Sequence, residues 1–248
     1  MDDDGLPRTR ASVRRRRRAL TAAAVAALFT APACSAEEGV KSITATSSTT
    51  APGPNCVTDA NGNTTCAVPG RPLRHRRRRR GLLLPGDGAG GGHEARIEYA
   101  SVASFAELGL QLMALGAPSA LVVRCHRAAL DEVAHAAVLD RLEGNPGGSY
   151  GPIPALLGRR IGGRARSRRR HLARIAVESY LDGWRNEGLS AADMEERAGR
   201  AGTSDARRAL QRIAADERRH ADLGRDVVLW CFDEEPAAVG RALARVAV

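Results

Sequence analysis

Residues 127–136 read RAALDEVAHA, and residues 212–221 read RIAADERRHA. The shared frame is Arg, Ala, then Asp-Glu-x-x-His-Ala, and both copies sit in helix-friendly segments rich in Ala, Leu and Arg. Glu132 with His135, and Glu217 with His220, are therefore i, i+3 pairs, which an α-helix places side by side on one face. One such pair is ordinary on a charged helix surface. Two copies in the same frame predict more: a pair on each of two helices, joined by one Glu from each of two others, is the ligand set with which four-helix bundles bind two metal ions.

Working outward from the repeat, the pattern predicts four helices. The first covers about Glu94 to Leu115, with Glu98, Val102, Phe105, Gly109 and Leu112 on one face. The second covers Ser119 to Leu142, with Leu121, Cys125, Ala128, Glu132, His135 and Leu139 on one stripe. It stops at the turn-forming G-N-P-G-G of Gly144–Gly148. A third runs from about His171 to Arg200, weakened by Gly183 and Gly188. The fourth spans about Asp205 to Cys231, with the G-T-S-D of Gly202–Asp205 supplying N-cap residues. Short links within each pair and a long one over 144–170 predict an all-α fold of two antiparallel hairpins with one long crossover.

Carboxylates on apolar stripes need a reason, because burying a charge costs heavily unless it is paired or bound to a metal. Glu132 and Glu217 occupy such stripes, and so does Glu98, 34 residues before Glu132. On the third helix Glu187 mirrors Glu98 best, with Asp182 as the alternative ligand. The predicted shell is Glu98, Glu132, His135, Glu187, Glu217 and His220, in which Glu132 and Glu217 bridge two metals, Glu98 and Glu187 cap one each, and each His takes one. Oxygen donors with a little imidazole suit iron or manganese. Asp131 and Asp216 either support the ligands from outside or face solvent.

Composition bounds the remainder. The 248 residues are 3% aromatic, so the core is aliphatic and helical. The formal charge of +10 is concentrated in Arg14–Arg18, Arg76–Arg80 and Arg164–Arg170. These runs lack interleaved aromatics for base stacking, which argues against specific nucleic-acid recognition. A basic stretch ending at Arg18, followed by the apolar Ala19–Ala33, reads as a signal peptide over 1–33. Cys34 then stands either as a lipidation site or just past simple cleavage after Ala33. Residues 34–92 read as a Ser/Thr/Gly/Arg-rich tether, in which Cys56 and Cys66 bracket an Asn-Gly turn and are expected to form a local disulfide. The bundle is expected over 93–232, with a C-terminal tail over 233–248.

The stretch E-Y-A-S-V-A-S-F-A-E-L at Glu98–Leu108, the following L-G-A-P, the first D-E-V-A-H-A and the D-G-W-R-N-E-G of Asp182–Gly188 together resemble bacterial ferritin-like domain proteins of the di-iron carboxylate superfamily. The resemblance covers about 94–232 and is closest to exported or lipoprotein-like members, although Tyr99 stands where relatives often carry a His. It implies a di-iron site, with dioxygen or peroxide and a reductant or small substrate as partners, in ferroxidase, peroxidase or small-substrate oxidase chemistry. It also implies a periplasmic or membrane-anchored location in a bacterial envelope. The competing expectation is a non-catalytic helical module of the cell envelope.

Overall fold

A computed structural model describes residues 92–145, 150–153, 156–157 and 167–246, together with the backbone of 56–58 and 64–66. The expected signal peptide, Cys34, most of the tether and the first two arginine runs lie outside the described residues. Strands β1 (Cys56–Thr58) and β2 (Thr64–Cys66) pair antiparallel with Cys56 opposite Cys66. The side chains of that expected disulfide are not among those described.

Among the described residues from 92 to 246 every regular element is a helix. Helix α1 (His93–Leu115) ends on Gly116, whose φ of 75° suits a residue without Cβ. There the Gly116 N–H donates to Met113 O and the Ala117 N–H to Leu112 O, satisfying carbonyls that the helix end would leave open. Pro118 then starts α2 (Ser119–Leu142), so α1 and α2 are antiparallel neighbours. The same motif ends α2, with Gly144 at φ 81° and the Asn145 N–H donating to Asp140 O.

Beyond the crossover, α3 (Arg168–Glu178) runs into a π-helical segment (Ser179–Arg185) and on into α4 (Asn186–Arg200). The rod begins three residues earlier than His171, and its glycines do not break it. Gly183 is buried within the π segment instead. Thr203 caps α5 (Ser204–Glu234), its Oγ1 accepting from the Ala206 N–H at 3.2 Å. Residues 236–243, expected as tail, form a further helix, α6 (Pro236–Leu243), which packs on α3 and buries Val239 and Leu243. Pro236 suits its first turn, where the missing N–H is not needed.

The core has a layer made by Ala95, Leu139, Met194, Ala198, Leu210, Ile213 and Ala214. Helices α1 and α5 pass from this layer to Glu98 and Glu217, whereas α2 and α4 reach it after Glu132 and Glu187. The two pairs thus run in opposite senses, and all four glutamates fall at one level next to an apolar layer. Parts of the crossover seal the flank of α1: Ile153 and Leu156 pack on Ala100, and the Tyr150 ring stacks on Tyr99 at 4.7 Å.

Candidate metal centre

Two helices deliver Glu-x-x-His and two deliver a single Glu, because each motif lies on the inward stripe of its helix. All six predicted side chains are buried: Glu98 and the two imidazoles are 2% exposed, and Glu132, Glu187 and Glu217 are fully enclosed. They fall into two sets, Glu98–Glu132–His135–Glu217 and Glu132–Glu187–Glu217–His220, with one donor atom per residue within 4.8 Å of the others in its set. Donor atoms about 2.1 Å from one ion lie at most about 4.2 Å apart, so each set is gathered on nearly the scale that a shared ion needs. Glu132 and Glu217 belong to both sets, as bridging carboxylates must.

Asp182, the alternative on the third helix, is not in either set. It is half-buried within the π segment, one of its oxygens accepting from Asn186 Nδ2 at 3.5 Å. A π turn holds about one residue more than an α turn and so shifts the phase of the residues beyond it by about 100°.

Each imidazole is held from outside by the opposite copy of the repeat. His135 Nε2 donates to Asp216 Oδ2 at 3.2 Å, and His220 Nε2 donates to Asp131 Oδ2 at 3.2 Å. Because a carboxylate only accepts, these bonds place the proton on Nε2 and turn Nδ1 inward as the donor atom for a metal. His135 Nδ1 lies 3.1 Å from Glu217 Oε1, and His220 Nδ1 lies 3.2 Å from Glu132 Oε1. These are ion-pair approaches and do not meet hydrogen-bond geometry. Consequently Glu98 Oε2, both oxygens of Glu132, Glu187 and Glu217, and both Nδ1 atoms are buried without a hydrogen-bond partner. An orphaned buried polar atom costs roughly 1–3 kcal/mol. So many converging on one place fit a bound cation.

The electrostatics fit as well. Burial, reinforced by neighbouring carboxylates, pushes the Glu98 and Glu187 carboxyls well above the ordinary range. Burial acts the same way on Glu132 and Glu217, yet the adjacent imidazoles outweigh it and hold both below that range. It also opposes charge on His135, but Glu132 and Glu217 overcome this and push the ring up to about 10. His220 is raised too, with Asp131 leading its favourable partners. The two imidazoles thus favour their charged form and Glu98 and Glu187 their neutral form, so the cluster offsets part of its own charge without a metal. Two divalent ions would balance four ionised carboxylates. The residues present fit a pair of divalent metals.

Three features were not read from the sequence. Three residues after each single Glu stands a serine, Ser101 after Glu98 and Ser190 after Glu187, and both are buried. Ser101 Oγ donates to Ile97 O at 3.3 Å, while Ser190 Oγ has no partner among the described residues. The repeated Glu-x-x-Ser was the signal for them. Arg219, half-way out to solvent, touches both Asp131 and Asp216. Gly224, one turn beyond His220, faces the π segment: a Cβ there would lie 2.6 Å from Trp184 N and 2.7 Å from Gly183 C. No local pattern signals either contact. A surface depression lined by Glu195, Arg207, Gln211 and Arg218 includes none of the six. Compared with protein families, curated proteins and solved structures, the chain matches none.

Proposed function

We propose that the chain is an exported ferritin-like protein whose α1, α2, α3–α4 rod and α5 form a four-helix bundle of two antiparallel hairpins around a di-iron carboxylate site. The observation that carries this reading is the pair of four-residue ligand sets sharing Glu132 and Glu217. Donors of oxygen and imidazole nitrogen favour iron or manganese over metals that select thiolate. The two described cysteines, Cys125 and Cys231, belong to neither set, and burial pushes the Cys231 thiol up to about 12.

Bound iron would supply the electrons that reduce dioxygen or peroxide, as a ferroxidase, peroxidase or small-substrate oxidase. The protein supplies the rest. Glu132 and Glu217, common to both sets, would hold both ions, and Glu98 and Glu187 would each hold one. The carboxyls of Glu98 and Glu187, which burial pushes toward the neutral form, would have to give up any proton they hold on loading. Asp131 and Asp216 keep the imidazoles turned inward. Phe105, fully buried with its ring 5.0 Å from that of His220, excludes water on one side. A lipid on Cys34, or release after Ala33, sets whether the bundle stays at the membrane.

The test is to load the purified chain anaerobically with ferrous iron and then admit dioxygen. The expected result is two irons per chain and a ferric absorption band that grows with oxygen uptake. No iron in the wild type, with unaltered folding of Glu132→Ala and Glu217→Ala, would overturn it in favour of a non-catalytic envelope module.

A further inference from the structure

The repeat is not symmetric. The residue before His220 is Arg219, and the residue before His135 is Ala134. Ala134 is exposed. Arg219 reaches both aspartates that hold the imidazoles: its Nη2 pairs with Asp216 Oδ1 and lies 3.7 Å from Asp131 Oδ2. One guanidinium therefore serves two carboxylates, each bonded to the imidazole of the other helix.

We propose that Arg219 sets the reduction potential of the metal pair from outside its ligands, acting through Asp131 and Asp216. This rests on the di-iron reading above. A carboxylate that accepts from a ligating imidazole makes that ring a stronger electron donor and stabilises the more highly charged, oxidised metal. A guanidinium on the carboxylate withdraws part of that donation and adds positive charge nearby, so it favours the reduced state. Arg219 does this for both imidazoles at once. It is a positioning residue, since it touches neither ligand nor metal. The pairing also has a mechanical side: Arg219 is on α5 and Asp131 on α2, so the same contact ties the two motif helices together. A purely mechanical role predicts a change in stability without a change in potential.

The arginine is 61% exposed against 22% for Asp216 and 30% for Asp131, so its influence is partly screened and is best read at low ionic strength. Arg219→Gln, Arg219→Lys and Ala134→Arg are made in the full chain. Each is loaded with ferrous iron, oxidised, and titrated with a reduced viologen that delivers one electron to each ferric ion. Expected are two irons per chain in every variant, a negative shift of the midpoint for Arg219→Gln, a value near wild type for Arg219→Lys, and a positive shift for Ala134→Arg. The Arg219→Gln shift shrinks as salt is raised. Unchanged midpoints in Arg219→Gln and Ala134→Arg, or shifts of the same sign, overturn the proposal while leaving the di-iron reading intact. Failure of the wild type to bind iron overturns both. Ala134→Arg keeps the test open if Arg219→Gln does not fold, because its site is exposed and needs no existing contact.

Discussion

The two helix pairs, α1–α2 and the α3–α4 rod with α5, bring matching carboxylates and imidazoles inward on different backbones. In α1–α2 the chain is regular α-helix on either side of Gly116–Pro118, and Glu98 reaches the site by plain helical phase. In the second pair the rod widens into a π segment two residues before Glu187, and α5 answers with Gly224 where the two backbones come together. The lesson is that the ligand geometry, not the backbone that presents it, is common to the halves. The irregular half carries its ligand on a backbone that tertiary contact must hold in place.

That contrast can be broken at the ligands first. Glu132 and Glu217 serve both sets, whereas Glu98 and Glu187 serve one each. Metal analysis of purified variants is expected to find no stoichiometric metal in Glu132→Ala or Glu217→Ala, and one ion per chain in Glu98→Ala or Glu187→Ala. Equal losses in all four would refute the division into a shared pair and two caps.

The backbone difference gives the next effect. Gly224→Ala drives a methyl into the backbone of Gly183 and Trp184 and is expected to lower stability by about 1–3 kcal/mol by denaturant unfolding. Gly188→Ala, on the same rod as the π segment but with nothing within 4 Å of its Cβ position, is expected to raise stability by about 0.5–1 kcal/mol. A harmless Gly224→Ala would show that the close approach is not needed.

A subtler test uses protons. Ligation needs Glu98, Glu187 and both Nδ1 atoms free of protons, and all four groups are shifted toward holding one, so metal affinity is expected to fall as pH falls, with protons released on binding. Calorimetry in buffers of different ionisation enthalpy counts them. In the metal-free protein the His135 value, raised from 6.5 to about 10, gives stability that is fully present below 6.5 and lost as pH rises through 10. Unfolding midpoints of the metal-free protein should therefore fall across that window, and those of the loaded protein should not show this loss. The smallest effect is expected at the partly exposed pair between the hairpins, Arg124 Nη1 to Asp226 Oδ2 at 2.6 Å. Asp226→Asn is expected to cost about 0.2–1 kcal/mol, less at high salt.

Most of the cluster was legible because its signals are local. The duplicated Asp-Glu-x-x-His fixes phase within each helix, Glu98 interrupts an otherwise apolar stripe, and Gly116 and Gly144 mark helix ends by their need for positive φ. What escaped is set between elements. The interval along the chain favours Glu187 over Asp182, but the π segment that sets its phase, and that the approach of α5 accommodates, is what no propensity scale registers. Helix α6 contributes only Val239 and Leu243 to the core and takes its place by packing on α3. The aspartates were visible as letters, but their partners were not, because bonding across the molecule requires knowing that α2 faces α5.

The crossed bonds of Asp131 to His220 and Asp216 to His135 carry a last consequence. Each motif stores the aim of the other's imidazole, so neither is self-sufficient. A hairpin on its own would keep its Glu and His yet lose the grip that turns the ring inward. The ten-residue unit is thus half of an interlock, and the smallest piece of this chain able to present both imidazoles correctly is one containing both copies face to face.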